Sequence, residues 1–413
     1  MALVIRNAAA FSNFSEKALN LSRDLAILAA IAAPISTAIT GIACVALLIF
    51  WLLSGQALQT LKLSWRQPFG KMIVLFYAWL LLGTLYAETD WPSKLQTFSS
   101  WKKLVYAFIL LGIFQHGEWQ KRFVNRYVIA MSIAAALGLI LWCFGLIIRP
   151  SNGGEVGIFM TNHATQSMAF VAATLCCIFL LHDANNPRMK YLISAAIGLF
   201  AFNIFFISTA RSGYFALPVA AIFAVGSIYG YRKLPRILAL VTIVILAFGL
   251  TSNTLQERVK QAFDEQANYQ SSSSETSVGV RMVFYKNTIE LIRERPWFGY
   301  GTSSFKPVYS ALAASKYQDW RAVSTGDPHN QYLFVWVENG LFGLLLLLAY
   351  IYTGVRQGLK NPPYGAIAAS FLIAITASSL FNSHFKTYAE GYMLAFFLGA
   401  LLTRPEGSEP SPA

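Results

Sequence analysis

Charge is scarce in this sequence: 12% of its 413 residues are Asp, Glu, Lys or Arg, against 56% hydrophobic residues. A chain so poor in charge cannot cover a water-facing surface, which excludes an ordinary soluble enzyme or binding domain. Cysteine is sparse as well. Cys44, Cys143, Cys176 and Cys177 all fall within apolar runs, so the reading is four small core hydrophobes and no disulfide or thiolate metal site. Metal ligands are wanting too. Glu88 and Asp90, in "AETDW", have the acid-x-acid spacing that can hold a divalent cation, but no third ligand accompanies them. A solvated span end explains the pair, and no metal and no cofactor are expected.

What the chain has in abundance is apolar length. Apolar segments fall near 25–53, 69–87, 103–115, 124–148, 164–181, 191–209, 213–230, 237–252, 329–353, 364–382 and 388–402, and crossing a bilayer takes about 20 helical residues. The fold class expected is an all-α polytopic membrane protein. The segment before Leu25 is amphipathic and mildly basic, so the first span is expected to do the targeting itself.

Charge then sets the topology. "LKLSWRQPFGK", "QKRFVNR", "NNPRMK", "YRKLPR" and "VRQGLK" are basic connectors and belong in the cytoplasm. The N-terminal segment and the connector after residue 53 are both basic, so the first apolar segment must cross twice, which gives twelve spans with both termini cytoplasmic. Nearly all of the net charge of +13 falls on that side. Orientation explains it, and no nucleic-acid partner is needed. The division expected is residues 1–252 as spans 1–9, 253–328 as one long outer loop with a helix over 278–295, 329–403 as spans 10–12, and 404–413 as a cytoplasmic tail.

Polar residues gather at the outer ends of the spans. In "DPHNQYLFVWVENG", residues 327–340, Asp327 reads as a helix N-cap and Pro328 as the first helical residue, placing His329 in the first turn. A helix start favours a bound anion and tends to keep a nearby imidazole neutral, the form that acts as a base. "TNHATQ" carries His163. "STARSG" carries Arg211 in a tight outer turn, on the side that orientation disfavours for arginine, and Arg281 lies on the loop helix. Two arginines, a histidine and a helix start on one side suit a phosphorylated lipid: guanidinium groups hold a leaving diphosphate while imidazole takes a proton from an attacking hydroxyl.

Four stretches in order, "TNHATQSMAF", "STARSG", "RPWFGYGTSSF" and "HNQYLFVWVENGLFG", with a long loop before the last, resemble the O-antigen ligase and polymerase family of bacterial envelope glycosyltransferases. The resemblance covers roughly residues 60–400. It implies a GT-C-like fold, with glycan transfer from undecaprenyl diphosphate on the periplasmic face of the inner membrane. In the ligase branch the acceptor is lipid A-core, and the reaction is inverting and metal-independent. By the same resemblance His329 is the base and Arg211 and Arg281 bind the diphosphate. Asn330, Tyr332 and His163 match motif positions with no role attached. The arginine motif reads "TARSG" where "TxSRG"-like forms are also common, so the arginine is kept while its neighbours vary. Within the family the alternatives are an O-antigen polymerase and a protein O-oligosaccharyltransferase. A secondary transporter is the distant one, disfavoured because the polar groups collect on one side.

Overall fold

The computed structural model describes residues 2–148, 154–236 and 277–403, with scattered positions between 238 and 260. In chain order its helices are α1 (Ala2–Ala32), α2 (Thr37–Leu53), α3 (Ala57–Arg66), α4 (Pro68–Tyr86), α5 (Trp91–Trp101), α6 (Lys103–Ile113), α7 (Gly117–Cys143), α8 (His163–Asp183), α9 (Pro187–Phe202), α10 (Arg211–Tyr229), α11 (Ser277–Glu294), α12 (Phe305–Lys316), α13 (Gln331–Leu359), α14 (Tyr364–Ser378) and α15 (Tyr388–Leu401). No strand occurs among the described residues. Among the described residues six helices are long and apolar enough to cross a membrane, or seven if α2 and α3, bent by 105°, count as one broken span. The described residues thus form the all-helical bundle of a polytopic membrane protein.

The first apolar segment is two helices: α1 and α2 part at residues 33–36, and Ser36 caps the second by accepting from the Ile39 amide. The loop helix expected over 278–295 falls on α11. The expected span at 237–252 lies largely outside the described residues, as do the start of the long connector and the tail 404–413.

Burial sorts the helices into a centre and a rim. Almost every residue of α15 is buried, as are most of α14 and α8, and a helix apolar on all its faces belongs in the interior of a bundle. The rim helices instead expose large apolar side chains, among them Ile42, Leu85, Ile133 and Leu345, as a lipid-facing surface requires. Cys44, Cys176 and Cys177 are core residues, but Cys143 is exposed, contrary to the expectation of four buried cysteines. It ends α7 on the face that also exposes Ile133 and Ile140, where an apolar thiol suits lipid.

One break organises the region after the loop. Gly340, at φ 67° and ψ −174°, interrupts α13 and frees backbone groups that an unbroken helix would use. The segment "RPWFGYGTSSF" fills the gap: Leu341 N donates to Pro296 O at 2.8 Å, Tyr300 N to Val337 O at 3.0 Å and Gly301 N to Glu338 O at 2.8 Å. Glu338 is buried there, with Oε1 accepting from Phe305 N at 3.2 Å.

Candidate functional site

His329 lies just before α13, and its local backbone differs from the sequence expectation. Asn330, not Asp327, is the N-cap: its Oδ1 accepts from the amides of Tyr332 at 3.0 Å and Leu333 at 3.1 Å. Asp327 instead closes an Asx turn, Oδ1 accepting from His329 N at 2.7 Å and from Ser383 Oγ at 2.7 Å. That turn puts His329 at φ 56°, in the left-handed region, which the first turn of a helix cannot accommodate. Both capping side chains are therefore used, one per turn.

The rest of the turn is held from three sides. The single hydroxyl proton of Tyr285, on α11, is shared between His329 O and Leu380 O, each 3.1 Å away. The Phe284 ring stacks on the imidazole, centroids 6.0 Å apart and planes 10° from parallel. Asn330 Nδ2 donates to Leu380 O at 3.1 Å, and the Tyr332 hydroxyl to Thr376 O at 2.7 Å, so both motif residues seat the start of α13 on the end of α14. Burial lowers the His329 pKa. Asp327 pushes it back up, the Arg281 cation pushes it down again, and a hydrogen bond with Asn382 raises it; the balance is downward. The neutral imidazole is therefore the favoured form at neutral pH.

A cavity of about 240 Å³ opens beside this imidazole. Its wall joins segments far apart in sequence: Asn162 and Thr165 at the start of α8, Asp327 and His329, Asn382 and His384 after α14, and Glu390 at the start of α15. The helices α8 and α15 begin at the cavity and α13 begins next to it, so their unpaired amides and positive dipole ends lie at this end of the bundle.

Arg281, half-exposed, sits one turn before Tyr285 on α11, near enough for its charge to act on both Tyr285 and His329. Arg211 is the first residue of α10, where the chain leaves a π-helical turn, Asn203–Ile207. Its segment is tied to the start of α8, Ser208 Oγ donating to His163 O at 3.2 Å. One turn on, Phe215 meets Phe381 edge to face at 5.5 Å, beside the cavity residue Asn382. His163 itself pairs through Nδ1 with Glu155 Oε1 at 3.0 Å, and Glu155 Oε2 accepts from Thr209 Oγ1 at 2.7 Å. Arg281 thus acts on His329 through its charge, while Arg211 and His163 lie on segments tied to each other at the start of α8, and neither of them lines the cavity.

Several polar groups here are ones that sequence reasoning passed over: Glu155, Asn382, His384 and Glu390, together with the turn role of Asp327. The connector "FNSHFKTYAE" held three of them. Its density of polar residues between two apolar segments was the available signal. Glu88 and Asp90 are occupied elsewhere, Glu88 with Arg295 at 3.2 Å and Asp90 as the N-cap of α5. Among the described residues no group of three His, Cys, Asp or Glu side chains is placed to hold a metal ion.

The chemistry of this arrangement is a neutral imidazole that can take a proton, beside a cation and helix starts that can stabilise an anion. A Haemophilus influenzae protein without an assigned activity is 26% identical over 313 residues, which cover 73% of this chain and 75% of the relative. A Rickettsia conorii protein named "Putative polysaccharide ligase" is 22% identical over 336 residues, covering 78% of this chain and 76% of the relative. The O-antigen ligase family model matches residues 195–348, a stretch that contains Arg211, Arg281 and His329. The family whose model matches that stretch is the one the chain's motifs resemble.

Proposed function

We propose that this protein is an O-antigen ligase of the bacterial inner membrane, transferring a polysaccharide from undecaprenyl diphosphate to lipid A-core on the periplasmic face. The observation that carries the reading is His329: a half-buried imidazole, its neutral form favoured, within electrostatic reach of the Arg281 cation and at a cavity where α8 and α15 begin. The basic connectors support a periplasmic position for that end of a twelve-span, GT-C-like bundle with both termini in the cytoplasm.

In the reaction proposed, an acceptor hydroxyl oxygen attacks the anomeric carbon that bears the diphosphate. Its proton passes to His329, and the bond from that carbon to the diphosphate oxygen breaks, the electron pair leaving with the diphosphate. Attack opposite the leaving group inverts the carbon. Arg281 and Arg211 take up the charge that develops on the departing phosphate oxygens, a duty suited to planar, permanently charged guanidinium groups. No metal is required where arginines supply the positive charge. His163, through its pairing with Glu155, and Asn330 and Tyr332, through their bonds to the end of α14, act by holding the α8 and α13 starts in place.

The test offers purified protein the undecaprenyl diphosphate-linked glycan with either lipid A-core or a second copy of the donor. Polysaccharide joined to lipid A-core is the outcome expected; lengthened diphosphate-linked glycan alone would replace the ligase reading with a polymerase. His329→Ala should abolish transfer while the protein remains folded and inserted, and turnover near that of the unchanged protein would remove His329 from the base role.

A further inference from the structure

His384 has no part in the reaction described above, yet it lies in the wall of the same cavity. It is 2% exposed, and neither Nδ1 nor Nε2 has a hydrogen-bond partner among the described residues. A neutral imidazole carries one donor and one acceptor, and buried polar groups that protein leaves unmet are unusual enough to call for an explanation. Burial lowers the His384 pKa against the raising influence of Glu390 and Asp327, which favours the neutral ring. A neutral ring facing a polar cavity is a hydrogen-bonding group suited to a bound molecule.

The surroundings decide which chemistry that molecule has. The Asp327 and Glu390 carboxylates are both in the wall, and they oppose a phosphate. The two nearby amines are turned to backbone carbonyls: Lys386 Nζ donates to Gly326 O at 2.8 Å, and Lys103 Nζ to Lys386 O at 2.7 Å and Thr387 O at 2.5 Å. What remains is a mixed set of donors and acceptors: the Asn162 amide nitrogen, whose oxygen caps α8, Asn382, the Ser383 hydroxyl oxygen as an acceptor, its proton going to Asp327, and His384, which together suit hydroxyl groups able to play either part. A volume of about 240 Å³ corresponds to roughly eight water molecules at about 30 Å³ each, the scale of one pyranose ring with its hydroxyls.

We infer that this cavity seats one uncharged sugar ring of the acceptor, its reacting hydroxyl at His329 and a second, non-reacting hydroxyl hydrogen-bonded to His384. This rests on the ligase reading for the identity of the acceptor, and it divides the site: acceptor sugar between His329 and His384, departing diphosphate toward Arg281 and Arg211. His384 is then a specificity-determining residue.

The test has a binding arm and a kinetic arm. Without donor, lipid A-core should raise the unfolding temperature of the unchanged protein in detergent; the shift should be lost in His384→Phe and largely kept in His384→Gln, which retains an N–H donor. Replacing an unmet polar group by an apolar ring should leave the unliganded unfolding temperature the same or higher. With donor present, His384→Phe should raise KM for lipid A-core by tenfold or more and leave KM for the undecaprenyl diphosphate glycan unchanged. No shift in the unchanged protein, or an equal shift in His384→Phe, overturns the inference. So does a fall in unliganded stability with both KM values altered alike, which marks a purely structural histidine. Protection by lipid A-core without any transfer to it would instead overturn the ligase reading and leave the sugar seat standing.

Discussion

Asp327→Ala tests whether backbone geometry, and not the imidazole alone, makes His329 reactive. The Asp327 carboxylate accepts two hydrogen bonds, from His329 N and Ser383 Oγ, each at 2.7 Å. Bonds to a charged group contribute about 1.5–3 kcal/mol each, and since Asp327 is only half-buried the low end applies, roughly 3 kcal/mol together. Opposed to them is the left-handed backbone of His329, at φ 56°, which costs about 1–2 kcal/mol for a residue with a side chain. With the carboxylate present the turn is favoured. Without it the strain is no longer offset, and a penalty of about 1–2 kcal/mol lowers the population of the reactive turn by a factor of roughly 5–30. Turnover should fall by that factor. Asp327→Asn keeps a carbonyl acceptor at the same place and should lose much less. The assay is transfer to lipid A-core at saturating donor, well above pH ~6.5, the ordinary imidazole value, because Asp327 also raises the His329 pKa and its loss would move the acid limb downward. An Asp327→Ala protein that folds and turns over like the unchanged one would refute the account.

Three further substitutions probe other parts of the structure. Gly340→Ala would place a Cβ 2.0 Å from Trp297 O at a backbone conformation open only to glycine. Strain plus at least one lost loop hydrogen bond should cost roughly 3–5 kcal/mol; an unchanged unfolding temperature in detergent would contradict this. Arg281→Gln removes a cation that holds the His329 pKa down, so the pKa should rise and, as pH falls, activity should be lost at a higher pH than before. An acid limb that does not move would show that the two side chains are not coupled in solution. Arg211→Lys should be much poorer than the unchanged protein because an ammonium cannot reproduce the bidentate guanidinium fork; equal donor binding by the two would show that a point charge suffices.

Several features were legible in the residues themselves. Apolar runs and scarce charge dictate a helical membrane protein, since hydrocarbon leaves the backbone only a helix or a closed barrel, and barrel strands would alternate apolar and polar residues instead of running unbroken. The basic residues before and after the first apolar segment require it to turn back on itself, and it does so at 33–36. The motif order pointed to the family, and Arg211, Arg281 and His329 lie within the stretch its model matches. Local turn chemistry was less legible. Asp327 and Asn330 are both competent caps three residues apart, and only the partners supplied by Ser383, in the connector after α14, and by Tyr285, on α11, decide which of them caps α13. The tertiary structure alone also made a cavity wall out of Asn162, His329, His384 and Glu390. The reason is physical: a helix start presents its unpaired amides and cap residues wherever packing leaves that end, and packing is set by apolar faces that carry no information about the polar groups at their tips. Hydrophobicity assigned these residues to their helices, and the crossing of those helices determined which polar ends met.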